Sequence, residues 1–187
     1  LHTQDLPENL NIDFPKKMSW DIGKGEDKVS VMDLYFMLCE IVKQLPSTDQ
    51  QVFIKHLEKW ANNDEQRPEY LTISKKNLLE LHNSQLFTIG AHTMTHPFLP
   101  SFPYEYQKSE IIGGIEYLLD LTDAKINFLA YPHGGHDENT YKILENLNVD
   151  FAFTTDPACF DINTYRHAIP RFQVKDWDGK TFAYNLN

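Results

Sequence analysis

Cysteine is nearly missing from this chain: Cys39 and Cys159 are the only two among 187 residues, and neither belongs to a CxxC pair. A disulfide framework and a zinc ribbon are thereby excluded, and both thiols are expected as small buried apolar groups. Long apolar runs are missing as well. The longest mainly apolar stretch, residues 29–45, is interrupted by Asp33, Glu40 and Lys43, short of the ~20 apolar residues a membrane span needs. A soluble protein with no membrane span is expected. Positive charge is in short supply, with 17 Lys+Arg against 27 Asp+Glu and a net charge of −10. Without a local basic patch, phosphate backbones and anionic lipid are repelled, which excludes nucleic acid as a partner. The opening Leu1-His2-Thr3-Gln4-Asp5-Leu6-Pro7 has no initiator Met, basic segment or apolar signal core. That predicts a processed or truncated chain with no signal peptide, and its compartment stays unread.

What is present is ordinary globular material, 41% hydrophobic and 24% charged, with a length that suits one domain over residues 1–187. The stretch up to Asp27 mixes Pro7, Pro15, Gly23 and Gly25 with charge and is expected to be irregular. Then Val31, Leu34, Tyr35, Leu38, Ile41, Val42 and Leu45 recur at three- and four-residue steps, which predicts an amphipathic helix ended by Pro46. A second helix follows, capped by Ser47 or Thr48, and a third capped by Ser74. Residues 29–84 are thus a helical block.

Beyond it, residues 85–178 alternate between short apolar runs and helical periods, which is the pattern of a parallel α/β core. Strands are expected over residues 86–90, 126–131, 150–155 and 168–174. A long helix begins at Pro103, and a further one is capped by Asp137. In such folds chemistry collects where the strands end.

Two histidines, His92 and His96, stand four apart directly after the first of these strands. If the segment turns helically both rings reach one side and suit a zinc-type ion, although a hydrogen-bonded loop is the alternative that spacing leaves open. The wider context resembles a family. The run Phe87-Thr88-Ile89-Gly90-Ala91-His92-Thr93-Met94-Thr95-His96-Pro97-Phe98-Leu99 is similar to the metal-binding histidine motif of the polysaccharide deacetylases with a NodB-like domain. Phe128-Leu129-Ala130-Tyr131-Pro132-His133-Gly134 resembles the branch of that family with a tyrosine-proline turn. Glu110 in the intervening helix, Phe151 to Thr155, and Ile169-Pro170-Arg171-Phe172 follow in matching order. The likeness covers residues 70–178, while residues 20–69 look like the helical insertion of some members.

The resemblance implies a partial or distorted parallel (β/α) barrel with a helical insertion, and a metal-dependent hydrolase that removes acetyl groups from carbohydrate of the N-acetylglucosamine type. It implies His92 and His96 as metal ligands, the His133 main chain as an oxyanion donor, and Tyr131, Pro132 and Arg171 as substrate-binding residues. The partner would be an acetylated oligo- or polysaccharide, and the compartment that of a soluble bacterial-type enzyme. The cofactor would be a divalent metal, zinc first and nickel, cobalt or manganese next. The family also uses two aspartates on an early strand, one as the third metal ligand and one as general base, and no such run precedes His92. Two imidazoles fall short of the three protein ligands usual in catalytic zinc sites. The metal is therefore expected to be weakly held or absent in this chain, which would be the C-terminal portion of an enzyme or an inactive homologue that binds saccharide or serves in an assembly.

Further departures qualify the likeness. Ala130 stands where the more usual turn has an arginine, His133 where it has a tyrosine, and no Leu-x-His acid matches Ile169-Pro170-Arg171. His167 is expected to be a surface or packing residue, and His136 part of the helix start at Asp137. A sheet without its first strands would leave an unpaired edge, and homo-oligomerisation through that edge is expected.

Overall fold

The computed structural model describes residues 9–12, 18–21, 31–62, 68–84, 86–147 and 149–186. The chain divides into two compact units, Leu1–Leu71 and Thr72–Asn187. In the first, β1 (Asn9–Ile12) and β2 (Met18–Asp21) pair antiparallel, with Leu10 opposite Trp20. A region expected to be irregular therefore carries a short ladder. Two helices follow, α1 (Val31–Val42) and α2 (Ser47–Ala61). The cap of α2 is Pro46 rather than Ser47 or Thr48. Its carbonyl accepts from both Asp49 N and Gln50 N at 2.9 Å, so the main chain of the proline starts the helix without a side-chain oxygen. The helix ends at Asn62, whose φ of 46° is a left-handed conformation that asparagine tolerates.

The second unit contains α3 (Lys75–Asn83), α4 (Tyr104–Thr122), β3 (Phe128–Ala130), α5 (Glu138–Asn146), β4 (Phe151–Phe153) and α6 (Gly179–Leu186). Ser74 caps α3 as expected, accepting from Asn77 N at 3.2 Å. The closing helix α6 had no counterpart in the periodicity. Strands β3 and β4 pair in parallel, with Leu129 beside Ala152. On one side Ala91 bridges in parallel to Leu129, and on the other Ile169 bridges to Phe153.

The expected strands over residues 86–90 and 168–174 thus shrink to single bridges at Ala91 and Ile169. Leu86 and Phe87 stay exposed and gain nothing from a ladder. Among the described residues the architecture is mixed α/β with a two-stranded parallel sheet, and no barrel closes. No helix among them is long and apolar enough to cross a membrane.

The core forms where α4 and α5 cover this sheet. Leu99, Ile111, Leu129, Tyr131, Leu144 and Ala152 are fully buried there, and each large side chain contributes roughly 1.5–3 kcal/mol by leaving water. Both cysteines, by contrast, are exposed. Cys39 falls on the outer side of α1, off the half-buried row Leu38, Ile41 and Val42, and Cys159 lies in the loop after β4. The start of α5 is tied into the core by polar contacts. Asp137 Oδ1 accepts from Asn139 N at 2.9 Å and Thr140 N at 3.0 Å, and Oδ2 accepts from Gln107 Nε2 at 3.1 Å. The Thr140 hydroxyl completes a capping box with the Asp137 amide. Burial pushes the Asp137 carboxyl up, but these donors outweigh it and hold the group below the usual carboxylate range.

Replacing Asp137 removes a cap and also one partner of the fully buried Gln107. Asp137→Ala is expected to cost ~1–2 kcal/mol in urea unfolding, clearly more than Ser74→Ala at the exposed start of α3. Equal losses for the two variants would show that the link to Gln107 adds nothing.

Candidate functional site

Parallel pairing makes every segment leave the sheet at the same edge, so the residues after Ala91, Ala130, Phe153 and Ile169 gather there. Those residues are His92 to His96, Tyr131 to Gly134, Thr154 and Thr155, and Arg171. Three imidazoles meet at this edge. The His92 and His96 ring centroids are 4.7 Å apart and those of His96 and His133 4.6 Å apart, each pair inclined by 74°. His92 Nδ1 lies 2.7 Å from the Ala130 carbonyl oxygen, which can only accept. The proton is thus assigned to Nδ1, and Nε2 is left as the lone-pair nitrogen. Burial lowers the His96 pKa below the ordinary histidine value, and the neighbouring His92 and His133 lower it further, whereas its own backbone contact opposes the shift.

Unusual backbone accompanies the cluster. Thr93 (φ 62°), His96 (φ 61°) and His133 (φ 56°) are left-handed, although none is glycine. Of the five non-glycine residues described with positive φ, the other two, Asn62 and Asp123, merely end helices. Gly134 continues the turn at φ 73°, where an added Cβ would stand 2.1 Å from Thr155 Oγ1. Only glycine fits there.

The remaining residues singled out by the sequence lie around this edge in different roles. Tyr131 is fully buried, and its hydroxyl donates to the His167 carbonyl at 2.7 Å. Burial pushes the phenol pKa far up, with Tyr141 and Tyr165 adding to the shift. Pro132 is buried beneath the same turn. Neither side chain therefore offers surface to a ligand, and what this turn presents is its main chain and His133. Arg171 Nε donates to the Thr154 carbonyl at 2.8 Å, so the guanidinium is anchored beside the end of β4.

His136 is held apart from the three rings. Its Nδ1 donates to the Gly134 carbonyl at 2.8 Å, and its ring stacks on Tyr131 at 5.1 Å. Glu110 was visible in the sequence only as a matching position. It is buried, and its carboxylate accepts from the amides of Met94 and Thr95 and from the Thr95 hydroxyl. The signal for it was present: Gln107, Glu110, Ile111 and Gly114 form the buried row of α4, so a charged residue occupies a core phase.

A divalent metal is what the family likeness implies. The donor chemistry fits in part, since His92 is oriented through Nδ1 by a carbonyl in the manner of metal-bound imidazoles and His96 stands beside it. Among the described residues, no group of three or more His, Cys, Asp or Glu side chains is placed to hold such an ion.

Comparison with known proteins agrees with the fold. A family model described as polysaccharide deacetylase matches residues 42–152, more than half of the chain. Among solved structures, the Streptococcus pyogenes deacetylase PplD, in complex with acetate, is similar with a TM-score of 0.58 and 19% identity over 64% of this chain and 53% of its own. A polysaccharide deacetylase from Bacillus cereus gives 0.56 and 24% over 63% and 38%, and IcaB from Ammonifex degensii gives 0.53 and 21% over 60% and 52%. The chain therefore spans about half or less of the length of these proteins. At such identities the likeness is one of fold. No curated protein matches the chain.

The buried His167 gives this unit a pH dependence. Its Nε2 donates to the Val149 carbonyl at 3.1 Å, and burial lowers its pKa below the unfolded value of ~6.5. The unfolded chain then binds the extra proton first, so stability is present above ~6.5 and is lost as pH falls through that value, by up to about 1.4 kcal/mol per pH unit for one proton. Urea unfolding between pH 7.5 and 5 should show a shallower loss in His167→Gln than in the wild type. Parallel losses would place the titration elsewhere.

Proposed function

This chain belongs to the polysaccharide deacetylase family, and from that premise we propose that it takes part in removing acetyl groups from an acetylated oligo- or polysaccharide of the N-acetylglucosamine type. The observation that supports the reading is the meeting of His92, His96 and His133 at the edge where the parallel segments end. In it, residues 85–178 are the catalytic α/β core and residues 29–84 the helical insertion. His92 and His96 would hold a divalent metal, zinc first among nickel, cobalt and manganese. When bound, such an ion polarises an acetyl carbonyl and acidifies a water molecule.

The protein's own residues do the rest of the positioning. His92 is kept in one tautomer by the Ala130 carbonyl, so its Nε2 is always the nitrogen presented. In the Pro132 to Gly134 turn Pro132 has no N–H and Gly134 N donates to the Tyr131 carbonyl, so the His133 amide is the one assigned to the developing oxyanion. Gly134 seats that turn against Thr155. Tyr131 and Pro132 support it from below, and Arg171 stands beside the end of β4 as the charged contact for a polar substituent of the sugar. The product would be acetate, the molecule bound in the Streptococcus pyogenes deacetylase.

Acetate release from acetylated chito-oligosaccharides, with zinc or cobalt added, tests this directly. The 187 residues contain no paired-aspartate run before His92. A positioned base is worth a factor of ~10² to 10⁴, so slow release is expected from these residues alone, falling to the solvent rate in His92→Ala. Metal uptake is expected to be micromolar or weaker and to disappear with the same substitution. No release from any acetylated sugar, together with zinc uptake indifferent to His92→Ala, would overturn the reading.

A further inference from the structure

The turn that carries His92 and His96 has no regular structure of its own, yet two of its residues, Thr93 and His96, sit in a left-handed conformation that side chains resist. Inside the turn Thr93 Oγ1 accepts from His96 N at 3.1 Å, and contacts from outside add to this bond. The contacts come from one face of α4. Glu110 Oε2 accepts from Met94 N at 3.0 Å and from Thr95 N at 2.8 Å, while Oε1 accepts from the Thr95 hydroxyl at 2.7 Å. Two successive amides closing on one carboxylate oxygen make a small anion-binding nest, filled here by the protein's own side chain. One helical turn further, Gly114 lets the chain come close. A Cβ built there would lie 2.9 Å from the Thr93 carbonyl carbon and oxygen and 3.1 Å from its Cα.

We infer that Glu110 and Gly114 together form a seat on α4 that holds residues 93–96 in the conformation bringing the His92 and His96 rings together. Glu110 is on this account a positioning residue, acting through the main chain of the turn rather than on substrate. The inference rests on the proposed deacetylase site only for its consequence in function. The geometry of the seat stands on the contacts themselves. Charge matters to it: the two amides share one carboxylate oxygen, and a carboxamide oxygen in its place is a neutral and weaker acceptor, with the N–H₂ left to donate to the Thr95 hydroxyl.

The test uses the full 187-residue chain in solution, with hydrogen exchange at the Met94 and Thr95 amides and the nuclear Overhauser contact between the His92 and His96 rings as readouts. In Glu110→Gln, exchange at those two amides should accelerate by ~10-fold or more, the scale of losing a hydrogen bond to a charged acceptor, and the ring contact should weaken. Protection of the Leu129 and Ala152 amides in the sheet should stay. Gly114→Ala is the independent variant, since alanine favours the helix over glycine. It should leave α4 intact, displace the turn and weaken the same ring contact.

If Glu110→Gln fails to fold, Gly114→Ala decides alone. Unchanged exchange and an unchanged ring contact in a folded variant overturn the seat. Zinc titration separates this from the proposed function. Affinity should fall about 10-fold or more in Glu110→Gln, where the charge-assisted contact is lost, and should also fall in Gly114→Ala, where the added Cβ displaces Thr93. A wild-type chain that takes up no zinc counts against the deacetylase reading, while ring contact and amide exchange still pass judgement on the seat.

Discussion

Parallel pairing is the constraint on which the site depends. Antiparallel neighbours send their connections to alternate edges, whereas Ala91, β3, β4 and Ile169 run the same way and release their loops at one edge. His92, His133, Thr155 and Arg171 come from segments far apart in sequence, and no local interaction would collect them. The ladder does so with few residues. β3 and β4 have three residues each, and the outer members contribute one bridge apiece. So short a sheet has little stability of its own, and it persists because α4 and α5 bury Leu129 and Ala152 completely.

Polar groups drawn into this small core are largely answered, with Gln107 Oε1 and Asn127 Oδ1 the exceptions among the described residues. Glu110 takes three donors, Asp137 caps α5 while accepting from Gln107, and His167 donates to Val149 and has its carbonyl used by Tyr131. An unanswered buried polar group costs ~1–3 kcal/mol, comparable to the gain from a large apolar side chain. These contacts therefore decide whether the core holds, and they also fix loop geometry. Glu110 joins α4 to the histidine turn, and Tyr131 joins the Pro132 turn to the segment before Ile169.

The helices from α1 to α5 were legible because their signals are local, whereas α6 was not. Ser74 and Asp137 cap where their side-chain chemistry says they should, and the three- and four-residue apolar spacing marks α1, α4 and α5. Cap identity at α2 was not, because Pro46 supplies a main-chain acceptor that resembles no side-chain signal. The strand over residues 86–90 was over-read, since an apolar run reports a wish for burial and says nothing about whether a neighbour is there to pair. The same limit applies to Cys39 and Cys159, where a residue type that is usually buried falls on exposed positions. At the site, the turns that carry His92, His96 and His133 could be read, and so could the nearness of His92 to His96, but the approach of His133 to His96 could not, because it depends on which segments lie side by side. Glu110 was within reach in principle, as a charge in the apolar phase of α4.

The left-handed residues mark these turns as strained. A non-glycine residue in that conformation costs on the order of 1–2 kcal/mol, and glycine would remove the cost. At Gly134 the space against Thr155 admits no side chain, whereas at the ends of α2 and α4 the same conformation is taken by the short polar residues Asn62 and Asp123. At His96 and His133 the chain keeps an imidazole instead, in the same conformation and within ring contact of each other. Both imidazoles thus sit in a conformation that glycine would adopt at less cost. The seat on α4 and the packing of Gly134 show how the strain is borne. Each strained turn combines bonds of its own, His96 N to Thr93 Oγ1 and Gly134 N to the Tyr131 carbonyl, with contacts from another segment, Glu110 for the first and Thr155 for the second.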